Sequence, residues 1–130
     1  MTYLRTFLLS VTLLFASSVA LAEPLGLSGL YKVSGKYKDK NISMRFDGDK
    51  CFISGGPRGG ELADAEAKCL RKGNLLYISN PNRQRMTRNI WLVYTVVDDR
   101  LESSHLEDMD NGDIFYKKQQ PEMIFQKQSP

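Results

Sequence analysis

Histidine occurs once in this chain of 130 residues, at His105, and cysteine twice, at Cys51 and Cys69. That scarcity weighs against a metal centre, since structural zinc sites draw about four ligands mainly from these two residue types. The cysteine spacing is also not C-x-x-C, so neither a zinc ribbon nor a thioredoxin-type redox motif fits. No cofactor is expected. Long apolar runs are missing too. The only extended one, Phe7 through Phe15, falls short of the roughly 20 residues that span a bilayer. No internal repeat or low-complexity tract is visible, which excludes solenoid and fibrous architectures.

What stands at the start is an address. Arg5 supplies one positive charge, the apolar run follows, and Ala20-Leu21-Ala22 precede Glu23-Pro24. A basic start, a short apolar core and small residues at −3 and −1 read as a cleaved secretory signal over 1–22. No cysteine lies at the cleavage point, so a lipid anchor has no acceptor. The expectation is a soluble domain over 23–130, periplasmic or secreted, with no stable membrane anchor. Its size fits one hydrophobic core. In an oxidising compartment, Cys51 and Cys69 are expected to form a disulfide. The loop they close, about 18 residues, corresponds to roughly 3 kcal/mol in the chain-entropy model.

Charge is informative in its distribution. Without Arg5 the eighteen basic residues become seventeen, against fifteen acidic ones. From Lys68 to Arg88 there are six basic residues and no acidic one. From Asp98 to Asp113 there are seven acidic residues against Arg100 alone. The two stretches either neutralise each other or steer a charged partner. Export and the acidic second half argue against nucleic acid.

Period-2 alternation dominates the rest and predicts strands. Tyr31 and Val33 alternate with polar neighbours, as do Met44 and Phe46, and Ile90–Val97 is β-branched and aromatic throughout. Asp47-Gly48-Asp49, Lys72-Gly73-Asn74, Asp98-Asp99 and Asn111-Gly112 supply turns, the last read as type I′. Residues 61–72 are rich in helix formers but also alternate. Their strand neighbours favour β, which would set Cys69 beside Cys51. Short strands and hairpin-length connections predict a small antiparallel up-and-down β-barrel of about eight strands. Met44, Phe46, Ile53, Tyr77 and Phe115 are expected to fill it.

The segment Leu27-Ser-Gly-Leu-Tyr-Lys-Val33 resembles the Gly-x-Trp opening of the first lipocalin strand, with Tyr31 in the tryptophan position. The resemblance to small exported lipocalin-like (calycin-like) barrels implies a closed meander, and invites the function of carrying an apolar ligand.

Few residues point to chemistry. Ser104-His105 pairs a nucleophile with a base, but strand neighbours face opposite sides. Asp108–Asp113 lacks the glycine position and closing glutamate of a calcium loop. Gly55–Gly60 lacks the Lys-Ser/Thr of a phosphate loop, although Arg58 stands at its centre. Asn41-Ile-Ser43 is a glycosylation sequon, relevant only in a eukaryotic source. Arg83, Arg85 and Arg88, beside Asn80-Pro81-Asn82, are candidate partner contacts, as is Trp91 on the outward face of its strand. These features predict a non-enzymatic module that binds another protein, such as an inhibitor, immunity or envelope accessory protein. The alternative is a carrier of a small apolar ligand.

Overall fold

The computed structural model describes residues 23–55, 64–79 and 89–130. The signal segment 1–22 lies outside them. Ten strands form one antiparallel sheet: β1 (Gly29–Ser34), β2 (Ser43–Asp47), β3 (Lys50–Ser54), β4 (Ala65–Ala67), β5 (Cys69–Lys72), β6 (Leu75–Ser79), β7 (Ile90–Val97), β8 (Arg100–Asp108), β9 (Ile114–Phe115) and β10 (Ile124–Lys127). The order β4-β3-β2-β1-β10-β8-β7-β6-β5 begins and ends on one stretch of chain. β4 pairs with β3 and β5 with β6, while only Lys68 separates β4 from β5. The sheet therefore curls into a nearly closed barrel. β9 and β10 both pair with β8 and act as one interrupted stave, and β4 and β5, split at Lys68, act as another, so the ten strands make eight staves.

Residues 64–72 thus contain strands rather than a helix, while 61–63 lie outside the described residues. Helix propensity yields because each half of this run finds a partner strand, and context outweighs a weak intrinsic preference. The corner is held by a reciprocal pair. Ser79 donates its backbone N–H to the Lys68 carbonyl at 2.9 Å, and its hydroxyl accepts the Lys68 N–H at 2.9 Å. The Cys51–Cys69 disulfide spans the same corner, joining β3 to β5.

Alternation delivers the core. Tyr31, Met44, Phe46, Ile53, Leu76, Ile78, Tyr94, Leu101 and Phe125 point inward and are buried. Rings meet edge to face, Tyr31 on Phe46 at 5.4 Å and Tyr94 on Phe125 at 5.7 Å. Burial without a nearby charge raises the Tyr94 hydroxyl well above its usual range. Phe115 is only half-buried, and Tyr77 is buried on the opposite side of β6 from Leu76 and Ile78.

The two ends of the barrel differ. At one, β2–β3, β5–β6 and β7–β8 are joined by the two-residue turns Gly48-Asp49, Gly73-Asn74 and Asp98-Asp99. Gly48, Gly73 and Asp98 have positive φ, as such tight turns need. Residues 23–28 pack here. Leu25 and Leu27 join the core, Arg71 Nη1 donates to the Leu25 carbonyl at 2.8 Å, and Glu23 Oε2 accepts the Gly73 N–H at 3.0 Å. The opposite end carries the longer connections: two 3₁₀ turns over Gly35–Lys40, the links from β3 to β4 and from β6 to β7, and the β8–β9 turn. That last turn is wider than type I′. Gly112, at φ 76°, donates to the Asp108 carbonyl, while Asn111 keeps a negative φ. Asp108 Oδ1 instead accepts the Asp110 and Asn111 N–H groups, at 2.8 and 3.2 Å.

Two predictions follow from the closure and from the loop end. Replacing both Cys51 and Cys69 by serine should lower the unfolding free energy by about 3 kcal/mol, measured by urea denaturation, with the β circular-dichroism signature retained. Gly55 has φ 83°, and a Cβ there would lie 2.1 Å from the Asn41 carbonyl oxygen. Gly55→Ala should therefore cost at least about 2 kcal/mol by the same measurement, since strain and clash combine.

Candidate functional site

The stave formed by β9 and β10 is interrupted where Tyr116–Glu122 leaves the wall as a strap. Ser103 anchors its return: the hydroxyl accepts the Glu122 and Met123 N–H groups at 3.0 and 2.9 Å, and the Ser103 N–H donates to the Met123 carbonyl. The strap starts at Tyr116, whose φ of 55° is left-handed, an unusual conformation for a bulky residue. Tyr116 is 59% exposed and Ile114 58%, the two large apolar side chains most open to solvent among the described residues. Lys118 lies over the Tyr116 ring, 5.1 Å from its centroid, and pairs with Glu122. These partners raise the Lys118 ammonium above its ordinary range, chiefly through the hydrogen bond to Glu122.

Grooves flank the strap. Towards β8 is a cavity of about 130 Å³ lined by Val93, Leu106 and Met123 with Ser104 and His105. Towards β1 is an open groove of about 560 Å³, lined by Ser34, Lys36, Lys118, Gln119, Gln120 and Ile124 among others.

Ser104 and His105 do not obey strict alternation. Val93 pairs with His105 and Tyr94 with Ser103, which leaves Ser104 as an extra residue in β8. Such a bulge re-aims side chains, and the Ser104 hydroxyl lies 2.9 Å from His105 Nδ1. On the other side of the ring, Glu107 Oε2 is 3.3 Å from Nε2. The Tyr77 hydroxyl also bonds Glu107, and burial together with that carboxylate raises its pKa. The resulting chain, Tyr77–Glu107–His105–Ser104, lies on the outer face of the wall, with Val93 buried beside it. A carboxylate only accepts, so neutral His105 carries its proton on Nε2, and Nδ1 accepts from Ser104.

The arginines Arg58, Arg83, Arg85 and Arg88 lie outside the described residues. Their flanking residues, Gly55 and Asp64 for the first and Ser79 and Asn89 for the others, belong to the loop-bearing end. Asn89 accepts a hydrogen bond from the Met109 N–H, which sets the start of β7 beside the acidic β8–β9 turn. Trp91 is half-buried, edge-on to Tyr77 at 6.1 Å, so it belongs to the outer face as expected but is not a bare patch. The residues missed from sequence are Lys36, which lines the groove beside the strap, and Lys38 and Lys40, exposed on the same 3₁₀ turns. Their spacing was visible, but Asp39 diluted the charge pattern. The strap gave no periodic signal.

No protein-family model, no curated protein and no solved structure matches this chain.

His105→Ala should cost about 1–3 kcal/mol in urea denaturation, because Glu107 and Ser104 then lose their common partner. In nitrogen NMR of the wild type, the neutral form of the ring should carry its proton on Nε2. A proton on Nδ1 would contradict the network as drawn.

Proposed function

We propose that the protein is a non-enzymatic, exported module that binds another protein through the loop-bearing end of its barrel, as an inhibitor, immunity or envelope accessory protein would. The observation that carries this reading is the contrast between the two ends. Tight turns and residues 23–28 close one, while the other gathers the long connections, the strap and the exposed Ile114 and Tyr116. Binding residues concentrate on loops that a rigid scaffold positions. The basic stretch 80–88 enters and leaves at the same end, so Arg83, Arg85 and Arg88 fit a contact with partner carboxylates.

The lipocalin-like carrier is the weaker reading. An eight-stave barrel is just wide enough for its own side chains or one small ligand. Here Tyr31, Met44, Phe46, Tyr94 and Phe125 take the central space. Catalysis is disfavoured as well. The Ser104–His105–Glu107 contacts run between near neighbours on one strand, which the local bulge accounts for by itself.

The test begins with crosslinking in the periplasm, identification of the captured protein and its purification. Arg83→Ala, Arg85→Ala and Arg88→Ala together should slow association with it severalfold at low salt and less at high salt, with unchanged thermal stability. Unchanged association would remove this stretch as a contact. A small molecule held tightly in native mass spectra, with no protein partner, would favour the carrier.

A further inference from the structure

We infer that the groove between the strap and the 3₁₀ turns receives an extended acidic segment of the protein partner. This rests on the reading of the protein as a protein-binding module, and names the chemistry of what it binds. The groove, about 560 Å³, is of the size that holds a ligand or a few peptide residues. Ile124 of β10 and Pro121 of the strap give its lining an apolar part, and Gln119 and Gln120 add carboxamides, which can both donate to and accept from a peptide backbone.

Charge sets the sign of the occupant. Lys36 lines the groove, and Lys38 and Lys40 extend from the same 3₁₀ turns, which bury none of their residues. Lys118 and Glu122 satisfy each other across the strap and contribute little net charge. Asp39 offsets one of the three remaining lysines, so the approach stays positive. Ile124 is held in place by the Ser34 hydroxyl, which donates to its carbonyl at 3.1 Å, and by the β1–β10 ladder that ends at the same pair. The groove is thus built on the wall of the barrel, while its basic side belongs to a surface turn.

An acidic saccharide would satisfy the same lysines. Saccharide sites usually offer an aromatic face to the C–H side of the sugar ring, and no aromatic side chain lines this groove. A peptide, whose carboxylates alternate with backbone groups, fits the mixture of lysine and carboxamide better.

The experiment titrates the mature, disulfide-bonded protein with a short synthetic peptide of alternating glutamate and alanine, followed by NMR. A peptide of alternating lysine and alanine, and an oligogalacturonate, serve as comparisons. The glutamate peptide should shift the side-chain amides of Gln119 and Gln120, and the other two should not. Lys36→Glu, Lys38→Glu and Lys40→Glu together should weaken it about tenfold at low salt. All three sites are exposed, so an unchanged melting temperature confirms that the variant folds. Absence of glutamate-peptide binding, equal binding of the lysine peptide, tighter binding of the oligogalacturonate, or an unaffected lysine variant would each overturn the proposal. The crosslinked partner separates this outcome from the broader reading. If it binds the lysine variant normally, the acidic-segment proposal falls and the binding module stands. If no protein is captured at all, the module reading itself falls.

Discussion

The barrel depends on one corner. At Lys68 a strand stops pairing with β3 and begins pairing with β6, and there the sheet meets itself. A backbone that changes partners risks leaving polar groups buried and unmatched, at about 1–3 kcal/mol each. Ser79 prevents this by meeting both the N–H and the carbonyl of Lys68. It is the buried polar residue of the described chain, 3% exposed, and its hydroxyl does what a backbone carbonyl would do in an unbroken ladder. The disulfide across the same corner limits how far β3 and β5 can separate when the chain unfolds.

Nearly closed, the barrel leaves, among the described residues, only short strands such as β4 and β5 with one partner each, little edge for another chain to extend. The wall can then tolerate local departures elsewhere. The extra residue at Ser104 interrupts β8 pairing with β7 midway along both strands, and the strap at 116–122 interrupts pairing on the other edge of β8. Ser103 ties the two departures together by accepting two backbone N–H groups from the end of the strap.

Much of the architecture was legible in the sequence because its causes are local. Alternation placed Met44 and Phe46 on the inside, and Gly48, Gly73 and Asp98-Asp99 marked turns through their φ requirements. Cys51 and Cys69 were paired correctly because the chain offers no other cysteine. The misreadings share a different origin. Ser104 and His105 were separated by strict alternation, and only a bulge created by pairing with β7 brings them together. The Asn111-Gly112 turn was given the wrong type because Asp108 captures the backbone first. Leu25 and Leu27 precede the first strand, and nothing local says that they will plug the barrel. The candidate groove was least visible, since it combines residues about eighty positions apart.

The pairing of β1 with β10 places Tyr31 opposite Lys127, so the first and last staves of the barrel lie side by side. Such distant pairing makes folding slow relative to helical domains of similar size. It also has a consequence for synthesis. Until β10 has emerged, β1 lacks one neighbour, and the cylinder cannot close whatever its earlier strands have done. A chain of this topology stays open while it is being made, and its first strand gains its second neighbour only as the final segment arrives.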